Sequence, residues 1–297
     1  MEFPIDAHDV EYAESYLAAG DLATALPLLQ RLAELVEDYA KTECVADDKT
    51  QWFSFNDAFE RLAYRRVERD PRELIQVPAP VDRLYAALAF AHIRQQQWLH
   101  ARDALMQAVR WNPMNCNYRL DLAEIFRALE DRQEWASLSY SVIERASDGR
   151  SAARAYANLG QFFLDEEKPS AAAGCTRLAV RLAATDQRVV RLQNRIMGEH
   201  PEAMEESDEH VMGELSLEGI PTAPSAEVAV CLLMCATDAA REGDSQQATE
   251  FTVRANNLIG EEACRALVKL IRESDAELAE ERAEGWRADE PAIENGE

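Results

Sequence analysis

The stretch DRLYAALAFAHIRQQQWLHARDALMQAVRWNP, residues 82–113, decides the fold of this 297-residue chain. Large and small apolar residues recur in it at helical spacing, and three glutamines separate its two halves. With Asp82 as position 1, large residues stand at positions 4 and 7, small ones at 8, 20 and 27, and a proline at 32. Two antiparallel helices approach closely only where short side chains face each other. The stretch therefore predicts a helical hairpin.

The same spacing recurs along the chain. A second clear copy counts from Ala153, and a degenerate copy lies between the two. In the degenerate copy Ala123 and Ala136 lie one residue further apart than their counterparts, which we interpret as an insertion in the turn between the helices. Weaker copies near the two ends have turns at residues 19–21 and 242–244. About five stacked hairpins are expected, because one such unit cannot bury its apolar face alone.

This spacing resembles that of the tetratricopeptide repeat (TPR) family, whose unit is a helix-turn-helix of about 34 residues. The resemblance covers roughly two thirds of the chain. It departs from the family at the start of the first helices, which have Tyr, Arg or Leu where Trp is frequent, and only Gly160 supplies the family's glycine at position 8. The resemblance implies an all-α, right-handed α-solenoid of stacked hairpins. A related repeat of helical hairpins is the structural alternative.

Composition agrees with a helical protein and argues against several other classes. Ala, Leu, Arg and Glu dominate, so we expect almost no strand. No apolar run approaches the ~20 residues that cross a bilayer, and the first residues lack the features of a signal peptide. We therefore expect a cytoplasmic protein with no membrane contact.

Catalytic and metal-binding patterns are not found in the sequence. It has no Gly-rich phosphate loop, no Gly-x-Ser-x-Gly turn and no His-Glu-x-x-His helix. Cys231 and Cys235 stand one helical turn apart and could present two thiolates to a metal, but they occupy positions where small packing residues belong. We expect a protein that is not an enzyme, with no cofactor and no metal.

Charge is distributed unevenly. The net charge is −24, yet residues 81–198 carry 16 basic and 13 acidic groups, for +3, between strongly acidic flanks. Such flanks repel a phosphate backbone, so we expect no nucleic-acid partner.

Prolines and charge divide the chain into parts. These are an N-terminal helical hairpin (1–48), an aromatic helix with a Pro-containing connection (49–80), central repeats (81–198), an acidic Pro-containing linker (199–225), C-terminal repeat-like helices (226–283) and a disordered acidic tail (284–297). We expect one aromatic-rich helix at 51–69, which either covers the open end of the array or exposes a docking surface. We expect 199–225 to be mobile or partly ordered. The arginines at 177, 181, 188 and 195 form either a solvated face or a docking site for the acidic linker.

The resemblance also implies which residues face the concave groove, mainly those at positions 2, 5, 9, 12 and 13 of each first helix. The candidate partner-binding residues are Arg83, Phe90, Ile93 and Arg94; Asn117, Leu120, Glu124 and Arg127, counted from Cys116; and Arg154, Asn158 and Gln161, of which Asn158 stands at position 6. Chaperone-binding members of the family hold a terminal carboxylate with Lys and Asn at positions 5 and 9 of one unit and Asn at 6 of the next. Here these are Ala86, Phe90 and Asp121, so that clamp is absent.

Apolar and cationic residues alternate in this groove, which predicts a protein or peptide partner with an acidic and apolar segment. The chain's own acidic tail, with Ile293 as an apolar anchor, is a second candidate occupant. Alternatively, the arginines only pair with carboxylates on neighbouring helix positions. The sequence thus predicts a non-catalytic protein-protein interaction scaffold or adaptor; the alternative is a regulatory or sensor subunit that binds a small ligand or nucleotide.

Overall fold

Helical hairpins make up most of this protein. The computed structural model describes the backbone of residues 2–288 and the side chains of residues 2–274. Four hairpins pack side by side in chain order: α1 (Ala7–Ala18) with α2 (Leu22–Glu43), α4 (Val81–Arg94) with α5 (Trp98–Trp111), α6 (Cys116–Ala128) with α7 (Arg132–Ile143), and α8 (Gly149–Asp165) with α9 (Pro169–Ala183). The remaining helices are α3 (Ala58–Glu68), α10 (Gln187–Glu199), α11 (Pro201–Glu205), α12 (Asp208–Leu217), α13 (Ala226–Glu242), α14 (Ser245–Ile259) and α15 (Glu261–Ala288). The predicted all-α solenoid of stacked hairpins is confirmed.

The turn inside each hairpin has one geometry throughout the described chain. Its middle residue has a positive φ and is Gly20, Gln96, Glu130, Glu167 or Gly243. The N–H of that residue donates to the carbonyl three residues earlier, and the next N–H donates to the carbonyl five residues earlier. This is the Schellman motif, which satisfies the last carbonyls of the first helix. The turns therefore define the repeat register independently of the side chains.

The predicted insertion in the middle hairpin is wrong. Its turn, residues 129–131, has the same length as the turns on either side. The residue five places after the left-handed Glu130 is Trp135, whereas Ala101 and Ala172 hold this place in the neighbouring hairpins. A large indole, 3% exposed, thus occupies a position that the pattern reserves for a small residue.

The aromatic segment was also predicted incorrectly in part. Residues Thr50–Phe53 form a short strand, β1, which pairs in parallel with β2 (Glu73–Gln76), and α3 begins only at Ala58, capped by the Asp57 side chain. Phe53 stacks on Phe55 with ring centroids 4.7 Å apart, and Phe53 and Phe59 are buried. The aromatic residues are therefore core, and α3 packs against α13 instead of covering an end of the array.

A buried carboxylate joins this segment to the array. Asp82, in the first turn of α4, is 0% exposed and accepts hydrogen bonds from Ser54 Oγ (2.9 Å), Asn112 Nδ2 (3.1 Å) and the Tyr118 hydroxyl (3.1 Å). Asn112 also donates to Glu60 Oε2 at 2.8 Å. Burial raises the pKa of the Glu60 carboxyl and of the Tyr118 hydroxyl. The network links the end of β1 with α3, α4, α5 and α6. Its polar groups are buried and hydrogen-bond to one another in place of water.

The acidic segment 199–225, which we expected to be mobile or partly ordered, contains two helices. Val211 and Leu215 of α12 are buried against α9, where a Cβ on Gly174 would lie only 2.8 Å from Leu215. Arg177 holds the segment by pairing with Asp208 at 2.6 Å and by donating to two backbone carbonyls. Arg195 pairs with Glu199 at 3.0 Å. Two of the four stripe arginines thus contact the acidic segment, as one of the two interpretations predicted.

The C-terminal hairpin folds back onto the middle of the chain. Phe251 of α14 contacts Phe59 of α3, and Arg254 donates to Ser147 Oγ at 2.6 Å in the loop before α8. Residues 284–288 of the predicted tail belong to α15, and the rest of the tail lies outside the described residues. No helix in the described part of the chain has both the length and the apolar character to cross a membrane.

Replacement of Asp82 by Ala should destabilise the fold by roughly 3 kcal/mol, because three buried donors would lose their acceptor. Urea unfolding followed by circular dichroism measures the change. Asp82→Asn, which keeps the volume and one acceptor oxygen, is the matched control and should lose less. Equal losses in the two variants would show that the hydrogen bonds to the carboxylate contribute little.

Glu167→Gly should stabilise the fold by about 0.5–1 kcal/mol, because glycine adopts a left-handed conformation without the Cβ clash that an L-residue has there. Gly243→Ala, at the equivalent position of the C-terminal hairpin, should destabilise by a similar amount. Thermal and urea unfolding of both variants test this pair of opposite effects. A destabilised Glu167→Gly protein would contradict the strain that we assign to the turn.

Candidate partner-binding groove

A groove runs across the first helices α6, α8 and α10. It consists of two adjoining depressions with volumes of about 590 Å³ and 240 Å³. Both are lined by Glu124 and Arg127 of α6 and by Arg188 and Arg191 of α10. The first depression adds Arg150, Thr185, Asp186 and Gln187, and the second adds Trp135, Ala157, Asn158, Gln161, Leu192 and Arg195. We call this surface the arginine groove.

Helix α10 continues the repeat as a further first helix. Counting 34 residues on from Ala153 places position 1 at Gln187, so that positions 2, 5 and 9 are Arg188, Arg191 and Arg195. These are the positions that the resemblance assigns to the groove. The small residue that marks the other units is missing from this one, because position 8 is Asn194, and no regular second helix follows. The period itself was the signal that would have found these arginines.

Most of the arginines on this surface pair with carboxylates. Glu124 accepts from Arg127 at 2.6 Å, Asp121 lies 3.5 Å from Arg154, Asp186 lies 3.7 Å from Arg150, and Arg195 bridges Asp165 at 2.9 Å and Glu199 at 3.0 Å. Burial raises the pKa of Asp121, although the charge of Arg154 acts in the opposite direction. The alternative interpretation, in which groove arginines pair with carboxylates on their own helices, therefore describes Arg127, whereas Arg154 of α8 pairs with Asp121 of α6.

Two arginines differ from the rest. Arg188 and Arg191 have no carboxylate within 4.0 Å among the described residues, and the guanidinium of Arg191 only contacts Gln187 Oε1 at 3.4 Å. Both line the two depressions. The groove therefore holds cationic groups whose hydrogen-bond donors point to water or to a ligand.

Trp135 forms part of the wall of the groove. Its side chain lines the smaller depression, the Arg127 guanidinium lies 5.9 Å from the ring centre, and its buried Nε1 has no hydrogen-bond partner in the described structure. The Nε of Arg154 is also buried without a partner. Unpaired buried N–H groups are uncommon in proteins.

The predicted groove residues fall into three groups. Glu124, Arg127, Asn158 and Gln161 line the arginine groove, while Leu120 is 0% exposed and cannot contact a ligand directly. Asn158 is largely buried and donates to Ser139 Oγ at 3.1 Å. On α4, Phe90 is 45% exposed, Ile93 is half-buried, and the Arg94 guanidinium lies 6.0 Å from the Phe90 ring centre. Arg83 of α4 pairs with Glu14 of α1. At the start of α6, Asn117 is exposed.

The cysteine pair lies away from this surface, in α13. Burial raises the pKa of Cys231 to about 12 and that of Cys235 to about 11, so both remain thiols at neutral pH. Within the described residues, no group of three or more His, Cys, Asp or Glu side chains could hold a metal ion.

Comparisons with known proteins concern the fold. No protein-family model matches the chain, and neither does any curated protein. A structure from a functional characterisation of Pseudomonas aeruginosa pilF is 14% identical with a TM-score of 0.44, over 90% of this chain and 96% of that chain. A tetratricopeptide repeat protein from Parabacteroides merdae is 11% identical with a TM-score of 0.35, over 89% of this chain and 97% of that chain. The assignment of a divergent TPR-like fold rests on the turns and helix contacts described above.

Proposed function

We propose that this protein is a non-catalytic interaction scaffold that receives a segment of a protein partner on its first-helix face. The supporting observation is the continuation of the groove positions from α4 through α6 and α8 to α10. An exposed Phe90 stands at one end of this face, and arginines with free donors stand at the other. A polypeptide can use both ends at once, because its side chains differ in character along its length.

The alternative, a sensor for a small ligand or nucleotide, requires an enclosed pocket with convergent polar groups. The two depressions instead lie open along three helices and share lining residues. This shape favours an elongated occupant. The acidic tail stays a prediction as occupant, since Ile293 lies outside the described residues.

The groove proposal predicts that Arg94→Glu with Arg127→Glu weakens binding about tenfold or more, because carboxylates of the partner would meet like charges. Binding is titrated against a partner identified by pull-down, and circular dichroism verifies that the variant is folded. Arg102→Glu, on the second helix α5, is the control and should bind as the wild type does. A partner that is indifferent to the groove reversal but sensitive to Arg102→Glu would place the interaction on the second-helix face.

A further inference from the structure

The charge of the arginine groove contrasts with that of the whole protein. The chain has a net charge of −24, yet five arginines line the arginine groove: Arg127, Arg150, Arg188, Arg191 and Arg195. Arg127 pairs with Glu124, Arg150 with Asp186, and Arg195 with Asp165 and Glu199. Among the described residues, the groove arginines without a carboxylate partner are therefore Arg188 and Arg191.

The walls around these two arginines strengthen their attraction for an anion. Ala157 and Leu192 line the smaller depression together with the buried ring of Trp135. Such side chains exclude water, and a guanidinium holds a carboxylate by two parallel hydrogen bonds that become stronger where water is displaced. The indole of Trp135, whose Nε1 is buried without a hydrogen-bond partner, is part of this wall.

The presence of Trp135 follows from the register of the middle hairpin. At the equivalent place the neighbouring hairpins have Ala101 and Ala172, whose methyl groups carry no donor. The middle hairpin, at the α6 side of the groove, has a large side chain at this place. The departure from the repeat pattern therefore lies in the wall of the depression that Arg188 and Arg191 also line.

We propose that Arg188 and Arg191, together with Trp135, form a subsite for the side-chain carboxylates of an acidic partner segment, whose apolar residues lie toward Phe90. This inference rests on the proposed function and specifies the chemistry of its partner. Neighbouring first helices lie roughly 10 Å apart, so α4 and α10, three units apart, are separated by about 30 Å. An extended chain covers that distance in about nine residues, which sets the spacing between the apolar and acidic parts of the segment.

The test uses a short fluorescein-labelled peptide with a run of Glu at one end and Leu residues about nine positions away, made in both chain directions. A matched peptide has Gln in place of each Glu. Fluorescence anisotropy with the full-length wild type should show that at least one Glu peptide binds about tenfold more tightly than its Gln counterpart. The preference should shrink as salt is added, because these charges lie in an open groove.

Arg188→Gln with Arg191→Gln should abolish the preference for Glu, whereas Arg181→Gln, an exposed arginine on α9, should leave it intact. Circular dichroism spectra and unfolding curves establish that both variants are folded. Equal binding of the Glu and Gln peptides, a preference that survives the double variant, or no binding of either Glu peptide at millimolar concentration would overturn the inference.

A photo-crosslinking residue at Phe90, compared with one at Leu99 on α5, tests the proposed function separately. Crosslinking of the natural partner from Phe90, with unchanged affinity for the double variant, would retain the scaffold and reject the arginine subsite. Crosslinking from Leu99 alone would reject the groove as the binding surface, and with it the subsite.

Discussion

The buried carboxylate of Asp82 is the interaction on which the arrangement of the chain depends. Among the described residues it has no cationic partner; three hydrogen-bond donors and its place in the first turn of α4 stabilise it instead. Those donors come from the residue that follows β1, from the end of α5 and from α6, so one group determines how the inserted segment 49–80 lies on two successive hairpins. The position of α3 follows from this, and α13 packs on α3. A charged group at this point costs desolvation energy and in return permits few alternative arrangements.

Repetition of the backbone matters more to this array than repetition of side chains. All five hairpin turns in the described chain have the same two hydrogen bonds, although only two of them have glycine at the left-handed position. Because the turn holds the two helices in register, the side chain at a helix contact can change without loss of the hairpin. Trp135 is such a change, and it gives the middle unit chemistry that its neighbours lack.

The features that the sequence predicted are local ones. Small residues such as Gly160 and Ala172 lie on the two helices of one hairpin, and their spacing in the sequence reports directly on a helix contact. The pairing of residues 50–53 with 73–76 could not be read in this way, since it joins segments separated by a whole helix. The acidic composition of 199–225 concealed Val211 and Leu215, which are too few to produce a visible apolar period. Of the residues predicted for the groove, Glu124, Arg127, Asn158 and Gln161 line a depression, whereas Leu120 is buried and the arginines of α10 were not included. Their role in binding a partner stays a prediction.

The return of α13 and α14 to the middle of the chain has a mechanical consequence. In an open solenoid each repeat contacts only its neighbours, so the array can bend along its axis. Here Arg254 bonds to the loop between α7 and α8, and Arg145 of that loop bonds to Glu68 of α3 at 2.6 Å. These contacts hold α14 and α3 against the loop that connects two successive hairpins, and they oppose rotation of those hairpins relative to each other. The curvature of the array is thus set in the free protein, and most of the loss of conformational entropy on association falls on the incoming chain.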